Sequence, residues 1–141
     1  MDRLKDKVVI VTGGAGGIGL GMSKAMAKEG AIIAIVDVNE EAGQASLKVL
    51  QEISPKSMFL KADLMDRDKL PTIITTVAEA YGKIDVLVNN AHASKQVTIE
   101  ETTQADLDLS FGTGFYPTFY LMQAALPYLK ANFPNIPIID Y

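Results

Sequence analysis

Apolar positions fall into short unbroken runs that alternate with longer stretches of mixed character. Val8-Val9-Ile10-Val11 is β-branched and continuously apolar, the pattern of a strand buried on both faces. Ile32-Ile33-Ala34-Ile35-Val36 repeats it and closes on Asp37. Met58-Phe59-Leu60 and Ile84 to Val88 read as a third and a fourth strand, and Ile136 to Ile139 as a fifth.

The stretches between them carry helical spacing. Ile18, Met22, Ala25 and Met26 predict a helix that Gly30 ends. Ala42, Ala45, Val49, Leu50 and Ile53 mark the inward stripe of a second, with Asn39 as its cap, Glu40 and Glu41 at its positive end and Ser54-Pro55 as its stop. Leu70, Ile73, Ile74, Val77, Ala78 and Tyr81 define a third, capped by Asp66 or Asp68, with Pro71 in its first turn and Gly82 at its end. A long helical stretch runs from about Leu107 to Leu129, weakened early by Gly112, Gly114 and Pro117. Strands alternating with helices predict an α/β fold: one parallel sheet, covered on both faces, in a single domain over residues 1–141.

Thr12-Gly13-Gly14-Ala15-Gly16-Gly17-Ile18-Gly19 lies between the first strand and the first helix. Glycines there let the backbone turn tightly and approach a pyrophosphate, which the free N–H groups of the helix start then favour. A P-loop is excluded, because Ile18-Gly19-Leu20 lacks the Lys followed by Ser or Thr that it requires. Asp37 lies where a carboxylate can accept hydrogen bonds from an adenosine ribose. A 2′-phosphate would meet like charge, and Val38 and Asn39 supply no cation, so NAD is expected over NADP. The alternative role for Asp37 is an ordinary strand-end turn.

Composition narrows the picture further. The net charge of −4, without a Lys/Arg cluster, argues against nucleic-acid or anionic-membrane partners. The absence of cysteine removes disulfides, thiolate metal sites and cysteine nucleophiles. The charged start, Met1 to Lys7, does not read as a signal peptide, and no apolar run is long enough to span a bilayer, so a cytoplasmic location is expected.

Thr12-Gly13-x-x-x-Gly17-x-Gly19, then Asp37, Lys61-Ala62-Asp63-Leu64 and Asn89-Asn90-Ala91 together resemble the short-chain dehydrogenase/reductase family. The resemblance covers essentially the whole chain but only the N-terminal half of a typical member. It implies a Rossmann-type doubly wound parallel sheet, truncated after about the fifth strand, and NAD(H)-linked hydride transfer with an alcohol or carbonyl substrate. The cofactor-binding residues it implies are Gly13, Gly16, Gly17, Ile18 and Gly19 at the turn, and Asp37 and Val38 at the ribose end. Asp63 and Leu64 would flank the adenine, and Asn90 and Ala91 would line the cofactor through backbone groups. Asp63 also reads as a helix-entry turn residue, and Thr12, Asn89 and Asn90 as polar struts.

Three departures from the family pattern bear on chemistry. His92 replaces the glycine that usually follows Asn-Asn-Ala; a lone His reads as a surface or hydrogen-bonded residue, and no metal site is expected. The position of the family's active-site Asn falls on Gly114, or on Gly112 after a local shift. The catalytic Ser and the Tyr-x-x-x-Lys pair would follow Asp140-Tyr141, and none of Tyr81, Tyr116, Tyr120 or Tyr128 has a Lys four residues on. No catalytic residue is therefore assigned. The expected function is the NAD(H)-binding portion of such an oxidoreductase, catalytically incomplete as it stands. The alternative is a non-catalytic nucleotide-binding or dimerisation module.

The long helix carries Phe115, Phe119, Met122 and Leu129 on one side and Tyr116, Tyr120 and Ala124 on the other. An apolar surface all round must be buried by something. In the family this helix joins subunits, so a homo-oligomer through Phe115 to Leu129 is expected; the alternative is burial under a neighbouring loop.

Overall fold

The computed structural model describes residues 2–132. Four strands form one parallel sheet in the order β3-β2-β1-β4: β1 (Val8–Thr12), β2 (Ile32–Asp37), β3 (Met58–Lys61) and β4 (Val86–Val88). Val9 pairs with Ile33 on one side and with Val86 on the other, so β1 is central. Every residue of β1 is buried, as its unbroken apolar run predicts. The chain steps from β3 at one edge to β4 beyond β1, which creates a switch in strand order between β1 and β4. The expected fifth strand, with Pro137, lies outside the described residues.

Side-chain alternation along β1 and β2 feeds two cores. Val9, Val11, Ile33 and Ile35 pack with α1 (Gly17–Lys28) and α2 (Glu40–Ile53) through Ala27 and Leu50. Val8, Ile10, Ala34 and Val36 pack on the opposite face against α3 (Leu70–Tyr81) and α5 (Tyr116–Asn132), through Ile74, Val77, Leu121 and Ala125.

The stripe expected for α1 is corrected. Gly19, Ser23 and Ala27 face inward, whereas Ile18 is 77% exposed and Ala25 is exposed. α1 lies so close to the β1 turn that only small residues fit between them. In α2 the inward residues are Gly43, Ser46 and Leu50; Ala45 and Val49 face solvent. The Phe59 ring packs directly on the Gly43 backbone, which displaces the apolar stripe by a fraction of a turn.

Asn39 caps α2 as expected, its side chain accepting from the Ala42 amide at 3.0 Å. Neither Asp66 nor Asp68 caps α3, because a single 3₁₀ turn (Arg67–Lys69) leads into it. Gly82 ends α3 in the left-handed region at φ 77°. β4 begins at Val86 rather than Ile84, and just before it Asp85 meets Val8 of β1 twice, its backbone amide donating to the Val8 carbonyl at 2.9 Å and its carboxylate accepting from the Val8 amide at 2.8 Å.

The long helix is divided. α4 (Gln104–Ser110) opens with a Thr103/Asp106 capping box, and a π-helical turn (Phe111–Phe115) joins it to α5. Gly112 and Gly114 lower helix propensity there, and Pro117 has no N–H to continue the regular ladder. Thr113 Oγ1 donates to the Leu109 carbonyl, and Thr118 Oγ1 to the Gly114 carbonyl, both at 2.7 Å. Leu129 packs against the sheet core rather than joining the outward stripe. Among the described residues no helix is long and apolar enough to cross a membrane.

Candidate functional site

The carboxyl ends of β1, β2 and β4 open onto one crevice of about 270 Å³ at the switch point, where such sheets bind ligands. Its lining joins Gly13, Asp37 and Val38 from one side, Asp63 and Leu64 from the end of β3, and Asn90, Ala91 and His92 after β4. Gly16, Gly17, Ile18 and Gly19 are not in that lining. They form the start of α1 beside it.

At this helix start Gly16 is the N-cap and provides no side-chain cap; the first turn holds no acidic residue. The amides of Gly13 and Gly14 bind the Val36 carbonyl, at 2.8 and 3.3 Å, and the Ala15 amide binds Asp37. Those of Gly16, Gly17, Ile18 and Gly19 find no acceptor among the described residues. A Cβ added at Gly16 or Gly17 would meet nothing within 4 Å, so the turn is open at these two residues. Gly17 holds φ +52°, which a side chain would strain. Free N–H groups and an uncompensated dipole suit a phosphate.

Asp37 does two jobs at once. Its Oδ2 accepts from the Ala15 amide at 3.1 Å and its Oδ1 from the Asn39 amide at 3.1 Å. A carboxylate has roughly four acceptor positions, so the oxygens keep capacity toward the crevice while the carboxylate braces the glycine turn. Both the turn role and the ligand-facing role are thus compatible. Val38 is 61% exposed at the rim. Asp63 Oδ1 accepts from the Met65 amide at 2.9 Å, the turn role expected for it, and the residue still faces the crevice. Leu64 packs partly against the core.

Asn90 and Thr12 are struts. Asn90 Nδ2 donates to the carbonyls of Thr12 at 3.0 Å and Gly13 at 3.2 Å, and Thr12 Oγ1 accepts from the Asn90 and Ala91 amides at 3.0 and 3.1 Å. The Asn89 side chain makes none of these bonds. His92 is exposed and hydrogen-bonded, its Nε2 3.0 Å from Ser110 Oγ.

Two groups escaped the sequence reading. Thr113 lies between the two glycines that weaken the helix and carries no signal of its own, yet its Oγ1 accepts from the Ala93 amide at 2.8 Å and it lines the crevice. Asp85 carries no pattern signal. Its buried carboxylate accepts from the Val8 amide at 2.8 Å and faces Lys83 at 3.1 Å and Lys7 at 3.8 Å, which holds the entry ends of β1 and β4 together. It lies at the opposite end of the strands from the crevice. Among the described residues no group of three His, Cys, Asp or Glu could hold a metal ion.

A family model described as short chain dehydrogenase matches residues 7–136. General stress protein 39 of Bacillus subtilis (strain 168) is 39% identical over 142 residues, covering 99% of this chain and 48% of that protein. The L-2,3-butanediol dehydrogenase of Corynebacterium glutamicum is 36% identical, covering 84% of this chain and 47% of its own length. The crystal structure of L-sorbose reductase from Gluconobacter frateurii, complexed with NADPH and L-sorbose, superposes with a TM-score of 0.86 at 25% identity, covering 94% of this chain and 51% of that one. The chain spans about half the length of the curated relatives it matches.

Proposed function

The chain belongs to the short chain dehydrogenase family, and from that premise we propose that it forms the NAD(H)-binding portion of an oxidoreductase acting on an alcohol or carbonyl. One observation carries this reading: amides without an acceptor among the described residues at the start of α1, beside a carboxylate braced at the end of β2. The Gly16 to Gly19 backbone would hold the pyrophosphate, Gly13 would let it approach, and Asp37 would accept from the adenosine ribose. Val38 and Leu64 offer apolar surface to an adenine, and Asp63 an acceptor for its exocyclic amine. Asn90 and Ala91 would border the cofactor where β4 ends. When bound, the nicotinamide supplies the hydride chemistry; these residues bind and orient it.

Asp37 favours NAD, because a 2′-phosphate would sit against its charge and no Lys or Arg lies in the crevice lining among the described residues. Titrating the chain with NADH and NADPH by fluorescence tests both parts. NADH is expected to bind more tightly. Asp37→Asn, which keeps an acceptor for the Ala15 amide but removes the charge, should narrow the difference by about tenfold. No response to NADH would overturn the reading, and an unchanged ratio in the variant would overturn the NAD assignment.

A second reading, a catalytically silent nucleotide-binding or dimerisation module, is favoured by Gly112 and Gly114 in the helix, where the resemblance places an active-site Asn. Both readings include a homo-oligomer. Phe111, Phe115, Phe119, Met122 and Leu126 are exposed along the π-turn and α5. Burial of this face by a second copy would remove a contiguous apolar surface from water. Phe115→Glu with Phe119→Glu should convert the assembly to a monomer in light scattering; an unchanged mass would place the interface elsewhere.

A further inference from the structure

The loop after β4 is held against the end of α4 and the π-turn by three contacts, Thr113 Oγ1 with the Ala93 amide and with the Ala93 carbonyl, and His92 Nε2 with Ser110 Oγ. The imidazole occupies the space in front of Gly114, where an added Cβ would come within 2.7 Å of its Cδ2. Gly114 is not among the glycines with positive φ, so its backbone does not call for glycine. Helix propensity argues against glycine there as well. What the missing side chain provides is room for the ring.

His92 also lines the crevice, together with Asp37 and Asp63. Ser110 engages one ring nitrogen; Nδ1 has no hydrogen-bond partner among the described residues. In a doubly wound sheet a dinucleotide lies across the switch point, with one nucleoside on each side. β2, which ends in Asp37, lies on one side of β1, and β4, which leads to His92, lies on the other. An adenosine ribose at Asp37 therefore directs the second nucleoside toward His92. Imidazole can donate or accept according to its tautomer, so it can meet ribose hydroxyls or a carboxamide.

We infer that His92 contacts the nicotinamide riboside half of the dinucleotide, and that Gly114 makes room for its ring. The inference rests on the nucleotide reading proposed above and adds a contact that the glycine turn and Asp37 do not supply. Ser110 acts as a positioning residue through its bond to the imidazole.

NADH and ADP separate the two claims, because ADP carries the adenosine and both phosphates but lacks the second nucleoside. On the full chain, His92→Ala should weaken NADH about tenfold and leave ADP unchanged. His92 is exposed, so this variant should melt like the parent. Gly114→Ala should weaken NADH similarly by pushing the ring aside, and the double variant should bind no worse than His92→Ala alone. Equal changes for NADH and ADP in His92→Ala, no change in either, or additive losses in the double variant would overturn the inference while the nucleotide reading stands. Failure of the parent chain to bind either ligand would overturn both.

Discussion

Thr12 and Asn90 clasp each other across the carboxyl ends of β1 and β4. The threonine hydroxyl accepts the Asn90 backbone amide at 3.0 Å, and the asparagine side chain returns a hydrogen bond to the Thr12 carbonyl at 3.0 Å. The clasp closes the switch point just beneath the crevice, where the sheet has no further backbone ladder between these strands.

Thr12→Val keeps the shape and removes the acceptor for two amides. It should cost about 1–3 kcal/mol of stability in urea unfolding, while Thr12→Ser should retain most of it. Asn90→Ala should cost a similar amount. Because the two act as one unit, the double variant should lose less than the sum of the singles; strict additivity would show that the clasp is not cooperative.

The glycines of the turn should separate by role. A Cβ at Gly19 would collide with the Gly13 carbonyl and come within 2.6 Å of Asn90 Nδ2. Gly19→Ala should therefore lower stability by about 1–3 kcal/mol or more. At Gly16 the backbone is extended at φ −170° and the added Cβ meets nothing within 4 Å. Gly16→Ala should unfold like the parent and reveal its effect, if any, only in NADH titration. Equal melting losses for both would contradict the packing account.

Asp85 anchors the far end of the same strands. Asp85→Ala leaves the buried Val8 amide without its acceptor and should destabilise by about 2 kcal/mol. Asp85→Asn, which can still accept, should cost less, and nucleotide affinity should not respond to either.

Acid should loosen α4 first at its cap. The Asp106 carboxyl is held below the usual carboxylate range by the Thr103 backbone amide and then by the Thr103 hydroxyl, both bonded to it at 2.9 Å. A carboxyl with a lowered folded pKa contributes stability that is present above its unfolded pKa and lost as pH falls through the folded value. Carboxyl NMR should show Asp106 titrating below free aspartate, with Thr103 amide protection falling over the same range. Titration at the ordinary value would remove the capping box from the argument.

The strand runs and the parallel α/β order were legible from the alternation along residues 8–88, and the glycine turn from residues 12–19 alone. A β-branched run without polar interruption survives only where both faces are covered, and glycines between a strand and a helix leave few other conformations open. The Asn39 cap and the Gly82 stop were readable for the same reason, since their causes lie within a few residues. Contacts between distant positions were legible only where the family pattern names the residues, as for Asp37, Asp63 and Asn90, and the others escaped. Close approach of α1 to the Gly13 turn, and of α2 to Phe59, moved the buried stripes onto small residues that periodicity undervalues. Asp85 bridging to Val8, Thr113 holding Ala93 and His92 filling the space before Gly114 join positions that no local pattern connects. Local chemistry thus determined which elements form and where a phosphate could bind, while only packing decided which side chains share the crevice and which brace it, because those contacts exist only after the chain has closed on itself.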